Sequence, residues 1–304
     1  MAPHSNTDTV DMTLTPAKNT TTTTTKARKP EARQEQTALE ALSQGMTLAG
    51  IPTFPSFAEQ RTHILEHMAG AFRIFARNGY TEGMAGHISV RDPENIHTFW
   101  TNPLGRPWAL MRASDMVLVD YDGKAVGGNM SRPSNAAGFL IHSALHKARP
   151  DVNAACHAHS VYGKAWSTFG RRLEMINQDA CMFYGDSQAV YEDFGGVVFD
   201  EAEGQRLAAS LGAHGKVMTL TNHGLLTVGE TVDEAAYLFT IMEKSCQIQL
   251  LAEAAAANGL AKRIIGDEVA AYTFKMTHSA ESLYCEFQGD LEVEDALTGG
   301  DFRK

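Results

Sequence analysis

From residue 56 onward, apolar residues recur at helical spacing. Ile64, Leu65, Met68, Phe72 and Phe75 share one face of a stretch that Ser56-Phe57-Ala58-Glu59 opens as a capping box and Gly79 closes. The spacing predicts a helix over 56–78. The period then changes to two: in Gly86-His87-Ile88-Ser89-Val90-Arg91, Ile88 and Val90 take one face while His87, Ser89 and Arg91 take the other. Residues 97–101 and 116–120 read as further strands, the second entering an Asp122-Gly123 turn, and the short connections make these antiparallel neighbours. Arg132-Pro133-Ser134-Asn135 opens a helix that runs to about Ala148. Helices are expected at 162–169 and 201–211, and strands at 154–159, 197–199 and 216–222. Thr231-Val232-Asp233-Glu234 starts a helix reaching about Asn258. Its apolar arc is so broad that it must be central or packed on a neighbouring subunit. Residues 267–287 predict one more helix.

The ends of the chain differ from this middle. Residues 1–45 carry six consecutive threonines at 20–25 and few large apolar side chains, too few to offset the entropy of ordering, so a disordered tail is expected, with a short amphipathic piece over 37–47. Residues 55–287 form the expected folded domain, and 288–304 an acidic, poorly ordered end. A net charge of −10 without a basic periodic face argues against nucleic acid as a partner. Cys156, Cys181, Cys246 and Cys285 form no Cys-x-x-Cys pair, which fits reduced thiols in a cytoplasmic protein. No apolar run approaches a membrane span, so no membrane partner is expected.

Candidate chemistry concentrates where two apolar runs end. Ala154-Ala155-Cys156-His157-Ala158-His159 finishes in an alternation that sends His157 and His159 to one face and Cys156 to the other. His223 closes the second run, just before Gly224. Three neutral imidazoles with an open fourth position suit a catalytic divalent metal. His142 and His146, one helical turn apart, read instead as structural, because no carboxylate accompanies them.

The segment Arg149-Pro150-Asp151, the His157-Ala158-His159 strand end and the turn Asn222-His223-Gly224 together resemble the class II aldolase/adducin family, over roughly residues 57–257. The resemblance implies a three-layer α/β/α sandwich with a mainly antiparallel central sheet. It also implies a homotetramer with sites between subunits, and zinc, or alternatively Fe(II) or Mn, held by His157, His159 and His223. By the same resemblance His87, Asn102, Ser134 and Asn135 fall on loops that bind the substrate phosphate in sugar-phosphate aldolases. Here the pattern departs. Where those aldolases carry an acid/base glutamate, counting back from Arg149 reaches Gly138, and Asn135, Ala136 and Ala137 supply no carboxylate.

A retro-aldol step needs a base to take a hydroxyl proton, and a positioned base contributes roughly 10²–10⁴-fold. Decarboxylation needs only an electron sink and a later proton. The expected function is therefore a metal-dependent lyase that decarboxylates a small aromatic or unsaturated acid in specialised metabolism. Tyr184 and Asp179 are the candidate proton donors, and Trp100, Trp108, Phe183 and Tyr184 the candidate walls for a flat substrate. The alternatives are a retro-aldolase served by Glu192 or Glu286, an Fe(II) oxygenase, and a noncatalytic adducin-like scaffold.

Overall fold

The computed structural model describes residues 37–44, 48–193 and 201–304. Its helices are α1 (Ala38–Leu42), α2 (Phe57–Arg77), α3 (Ala136–Ala148), α4 (Val161–Ser167), α5 (Glu201–Leu211), α6 (Val232–Ala257), α7 (Asp267–Thr277) and α8 (Ala280–Thr298). Its strands are β1 (His87–Arg91), β2 (Thr98–Thr101), β3 (Val117–Asp120), β4 (Ala125–Gly128), β5 (Ala154–Ala158), β6 (Gln188–Tyr191), β7 (Val217–Leu220) and β8 (Gly224–Gly229). They form one sheet in the order β4-β3-β2-β1-β5-β8-β7-β6. Every pairing is antiparallel except that of β6 with β7.

Period-2 alternation divides the sheet's side chains between two cores. Ile88, Val90, Cys156 and Leu225 pack with α2, α4, α6 and α8 on one face. Ala155, Met218, Leu226 and Val228 pack with α3 and α5 on the other. The result is the expected three-layer α/β/α sandwich, and Cys156 is core. The long helix α6 is central: most of its residues between Val232 and Gln249 are buried, and it lies against the sheet, α2, α4 and α8. Side-chain caps set its start and that of α2, Thr231 Oγ1 accepting from the Glu234 amide and Ser56 Oγ from that of Glu59.

The short piece expected over 37–47 contains α1, which Thr37 and Glu40 start with a reciprocal capping box. Other expectations change. The rest of the threonine-rich stretch and the strand expected at 197–199 lie outside the described residues. Strand β6 was not anticipated, and the last helix is two: Ser279 caps the start of α8 by accepting from the Ser282 amide.

The end at 288–304 is not a loose tail. It continues α8 and closes in a short turn that buries Phe302 completely against α2, beside Gly70. Its acidic residues meet arginines from distant sequence: Asp301 binds Arg73 and Arg112, and Glu294 pairs with Arg77. Composition read these carboxylates as solvated because their partners lie some two hundred residues upstream. No helix among the described residues is long and apolar enough to cross a membrane.

Removing the Phe302 ring should cost about 3–5 kcal/mol, the usual range for a buried phenylalanine cut to alanine. Urea denaturation of Phe302→Ala beside wild type checks this; a difference within error would mean that the C-terminal segment is not part of the core.

Candidate metal centre

The site forms where β1, β5 and β8 run side by side. Their register places His157 opposite His87 on one side and Leu226 on the other. The tight turn between β7 and β8 delivers His223: Asn222 adopts a left-handed conformation (φ 58°), and the following Gly224 (φ 156°) lets the backbone pass the Ala158 carbonyl, which a Cβ would meet at 3.1 Å. One nitrogen from each of His157, His159 and His223 lies within 4.8 Å of the other two. His159 Nε2 and His223 Nε2 are 3.1 Å apart.

Neighbouring groups fix how these rings present themselves. His157 Nδ1–H donates to the Leu225 carbonyl at 2.8 Å, which leaves Nε2 as the lone-pair nitrogen. His159 Nδ1 faces Glu82 Oε2 at 3.7 Å, and Lys164 Nζ holds the same oxygen at 2.6 Å. Burial lowers the pKa of all three imidazoles: well below the ordinary value for His157, to about 4 for His223, and downward for His159, where Glu82 opposes the shift. Neutral, convergent nitrogens form a cluster compatible with a divalent metal.

Behind His157 lies a row of further imidazoles. His87 packs on His142 with ring centroids 4.1 Å apart and on His157 at 5.1 Å. His146 Nδ1–H donates to the Val152 carbonyl, so its Nε2 accepts from Ser89 Oγ at 2.8 Å, and Ser89 Oγ in turn accepts from His142 Nδ1 at 2.7 Å. His142 and His146 are thus hydrogen-bonded structural residues, as their sequence context suggested. His87 differs. Fully buried, with its pKa pushed down to about 3 by that burial and by His223 and His159, it has no hydrogen-bond partner on either ring nitrogen among the described residues.

The ring of His87 occupies the space in front of Gly138: a Cβ there would stand 1.9 Å from His87 Cδ2 and 2.1 Å from Nε2. The position where the resemblance expects a glutamate is therefore filled from the neighbouring strand.

The other expected substrate-loop residues gather around the start of α3. Asn102 Oδ1 accepts from the Ile88 amide at 3.4 Å, Pro103 and Ser134 form a β-bridge, and Asn135 Oδ1 caps α3 by accepting from the Gly138 amide. Tyr184 and Asp179 are not brought to the histidines. Asp179 is exposed, and Tyr184 packs beside Met175, Cys181 and Ile265 and interacts with Asp267; among the described residues neither makes a hydrogen bond or ring contact with the triad. Trp100, Trp108 and Phe183 are core residues, with Trp100 Nε1 donating to Asp92. Glu192 is exposed at the end of β6, and Glu286 faces Tyr237.

The carboxylate that does reach the triad, Glu82, was missed. Its only sequence signal is the glycine-punctuated loop Thr81-Glu82-Gly83-Met84-Ala85-Gly86 leading into β1. A cavity of about 670 Å³ lies between α3 and α5, and among the described residues it holds no convergent metal-ligating group.

Comparison with known proteins agrees with this geometry. Residues 66–250 match the family described as Class II Aldolase and Adducin N-terminal domain. The chain is 43% identical over 257 residues to the meiotically up-regulated gene 14 protein of Schizosaccharomyces pombe, covering 81% of this chain and 98% of that one. It is 46% identical over 206 residues to the decarboxylase NovR of Streptomyces niveus, covering 67% and 75%. It is 45% identical over 206 residues to a Streptomyces roseochromogenus subsp. oscitans protein named 4-hydroxy-3-prenylphenylpyruvate oxygenase/4-hydroxy-3-prenylbenzoate synthase, covering 67% and 73%. Among solved structures, one called L-fuculose 1-phosphate aldolase from Glaciozyma antarctica PI12 superposes with a TM-score of 0.76 at 42% identity, covering 84% of this chain and 97% of that one.

The contact between His87 and Gly138 gives a sign-reversing test. Gly138→Ala should destabilise by about 1–3 kcal/mol through overpacking against the ring. In a His87→Ala background the same change should instead stabilise by about 0.5–1 kcal/mol, the ordinary helix preference for alanine over glycine. Urea denaturation of the four proteins measures the coupling; additive effects would show that the two side chains do not compete for one space.

Proposed function

The chain belongs to the class II aldolase and adducin family, and on that premise we propose that it is a metal-dependent carbon–carbon lyase of the decarboxylase type. The substrate class we assign is a small carboxylic acid whose scissile carbon adjoins a carbonyl or an unsaturated ring. His157, His159 and His223 are the residues that would hold the divalent ion, zinc or alternatively Fe(II) or Mn. When bound, the ion supplies Lewis acidity that stabilises negative charge developing beside the carbon that loses CO₂.

The chain's own residues do the rest. The Leu225 carbonyl fixes the tautomer of His157 so that its Nε2 would be free to bind the ion, and Glu82 lies beside His159 Nδ1, where it would support the same role. His87 offers a buried neutral imidazole, without another hydrogen-bond partner among the described residues, to hydrogen-bond the substrate, and its neighbours at the α3 terminus, Asn102, Ser134 and Asn135, shape that end of the site. Water reaching the half-exposed side of His159 and His223 returns the proton after CO₂ leaves. The same reading includes cytoplasmic residence and a homotetramer in which a neighbouring copy flanks that open side.

The observation that carries the choice of decarboxylation over retro-aldol cleavage is the His87 ring seated against Gly138. An imidazole whose pKa burial pushes down to about 3, and which is therefore a poor proton acceptor, occupies the place of a carboxylate base. The name of the NovR relative supports the same direction. That of the roseochromogenus relative favours a second reading, an Fe(II) oxygenase on a related keto acid, which the same three histidines would serve.

The test is CO₂ release from a panel of aryl-pyruvic and hydroxybenzoic acids by the metal-loaded protein, in air and under nitrogen. Equal rates in both, abolished by chelation and reduced at least about 100-fold in His223→Ala, are expected of the lyase. Turnover only in air would establish the oxygenase instead. Aldehyde release from hydroxy-carbonyl substrates without CO₂ would sink the decarboxylase assignment.

A further inference from the structure

A second set of metal-ligating side chains converges at the far end of the sheet. His63 and His67 lie four residues apart on α2 and so share one face, with ring centroids 3.7 Å apart. Asp233, in the first turn of α6, approaches them from the neighbouring helix. One ligand atom from each of the three lies within 4.8 Å of the other two. His67 and Asp233 are both buried, and His67 Nδ1 stands 2.6 Å from Asp233 Oδ1. Gln288 on α8 donates Nε2 to the same oxygen at 2.9 Å, so the carboxylate is oriented from behind.

This group is separate from the triad. It opens on a cavity of about 380 Å³ whose other walls include Phe54, Val90, Arg91 and Asn153. Val90 pairs with Ala154, while His87 pairs with His157. Three residues of strand, about 10 Å, therefore lie between the two ends of the sheet.

A hydrogen bond between His67 and Asp233 accounts for two of the three residues but not for His63. That ring sits among Phe54, His67 and Tyr284 in ring-to-ring contacts, its pKa lowered to about 4 by burial and by His67, so it is neutral at physiological pH. A neutral imidazole pressed onto a second imidazole beside a buried carboxylate has the donor set, two nitrogens and one oxygen, that divalent transition ions take.

We propose that His63, His67 and Asp233 bind a divalent transition-metal cation of the zinc class, independently of the histidine triad. The ion bridges α2 to the start of α6 and balances the Asp233 carboxylate inside the protein. Its remaining coordination positions face the cavity, where water or a small oxygen ligand completes them. Since α6 also carries Glu243, which accepts from Ser160 Oγ and the amides of Tyr162 and Gly163 just beyond His159, the bridge braces the helix that supports the first site.

The experiment is zinc stoichiometry by elemental analysis after loading and gel filtration, with thermal melts in the presence and absence of zinc. The proteins are wild type, His157→Ala/His223→Ala, His63→Ala, and the three changes combined. His63→Gln provides a second, more conservative variant, and circular dichroism checks the fold of each. The expected result is about two ions per chain in wild type, about one in the double variant and in either His63 variant, and none in the combination, because each site needs its own ligands. Zinc should raise the melting temperature of the double variant but not of the combination.

If wild type holds one ion and the double variant none, this proposal is overturned while the triad reading stands. If wild type holds one ion that survives the double change and is lost in His63→Ala, the triad reading fails and this site remains.

Discussion

Everything at the first site depends on the register of β5 between β1 and β8. That pairing sets His157 across from His87 and beside the Leu225 carbonyl, and it carries His159 one pleat further to the end of the sheet. Because side chains alternate with period two, a slip of one residue would turn His157 into the α2–α6 core and bring Cys156 out in its place. The register is protected by the apolar residues that share the strand, Ala154 and Cys156 facing one core and Ala155 the other, all completely buried. The same hydrophobic pattern that folds the sheet therefore aims the imidazoles.

The imidazoles impose a constraint of their own. Six of them, His87, His142, His146, His157, His159 and His223, crowd one end of the sheet, and burial lowers the pKa of each. A cluster this dense is tolerable only uncharged, and hydrogen bonds choose the tautomer of three of its rings, His142, His146 and His157: the carbonyls of Val152 and Leu225, and the Ser89 hydroxyl between His142 and His146. At the exposed rim, Glu82 stands 3.7 Å from His159 Nδ1 and is itself held by Lys164.

What was legible in the sequence follows from locality. The strand alternation at 154–159, the turn at 222–224 and the cap at Ser56 each depend on residues within a few positions of one another, and the layered fold follows from their periods. The misses depend on distant partners. The acidic residues of 288–304 are ordered by Arg73, Arg77 and Arg112, Glu82 meets His159 across the sheet end, and β6 borrows its pairing from β7 in the one parallel ladder. The polar loop around Asp179 and Tyr184 suggests proton donors by its composition alone, and it packs toward α7 instead. Gly138 was recognised as the place of a missing carboxylate, but no local pattern could show that the ring of residue 87 had moved into the space.

That substitution of volume has a historical side. A chain carrying both a glutamate at 138 and a histidine at 87 would place two side chains in one space, and a chain with neither would leave a hole beside His157. Each single step between the two arrangements thus passes through a less stable protein, so the exchange resists reversal once made.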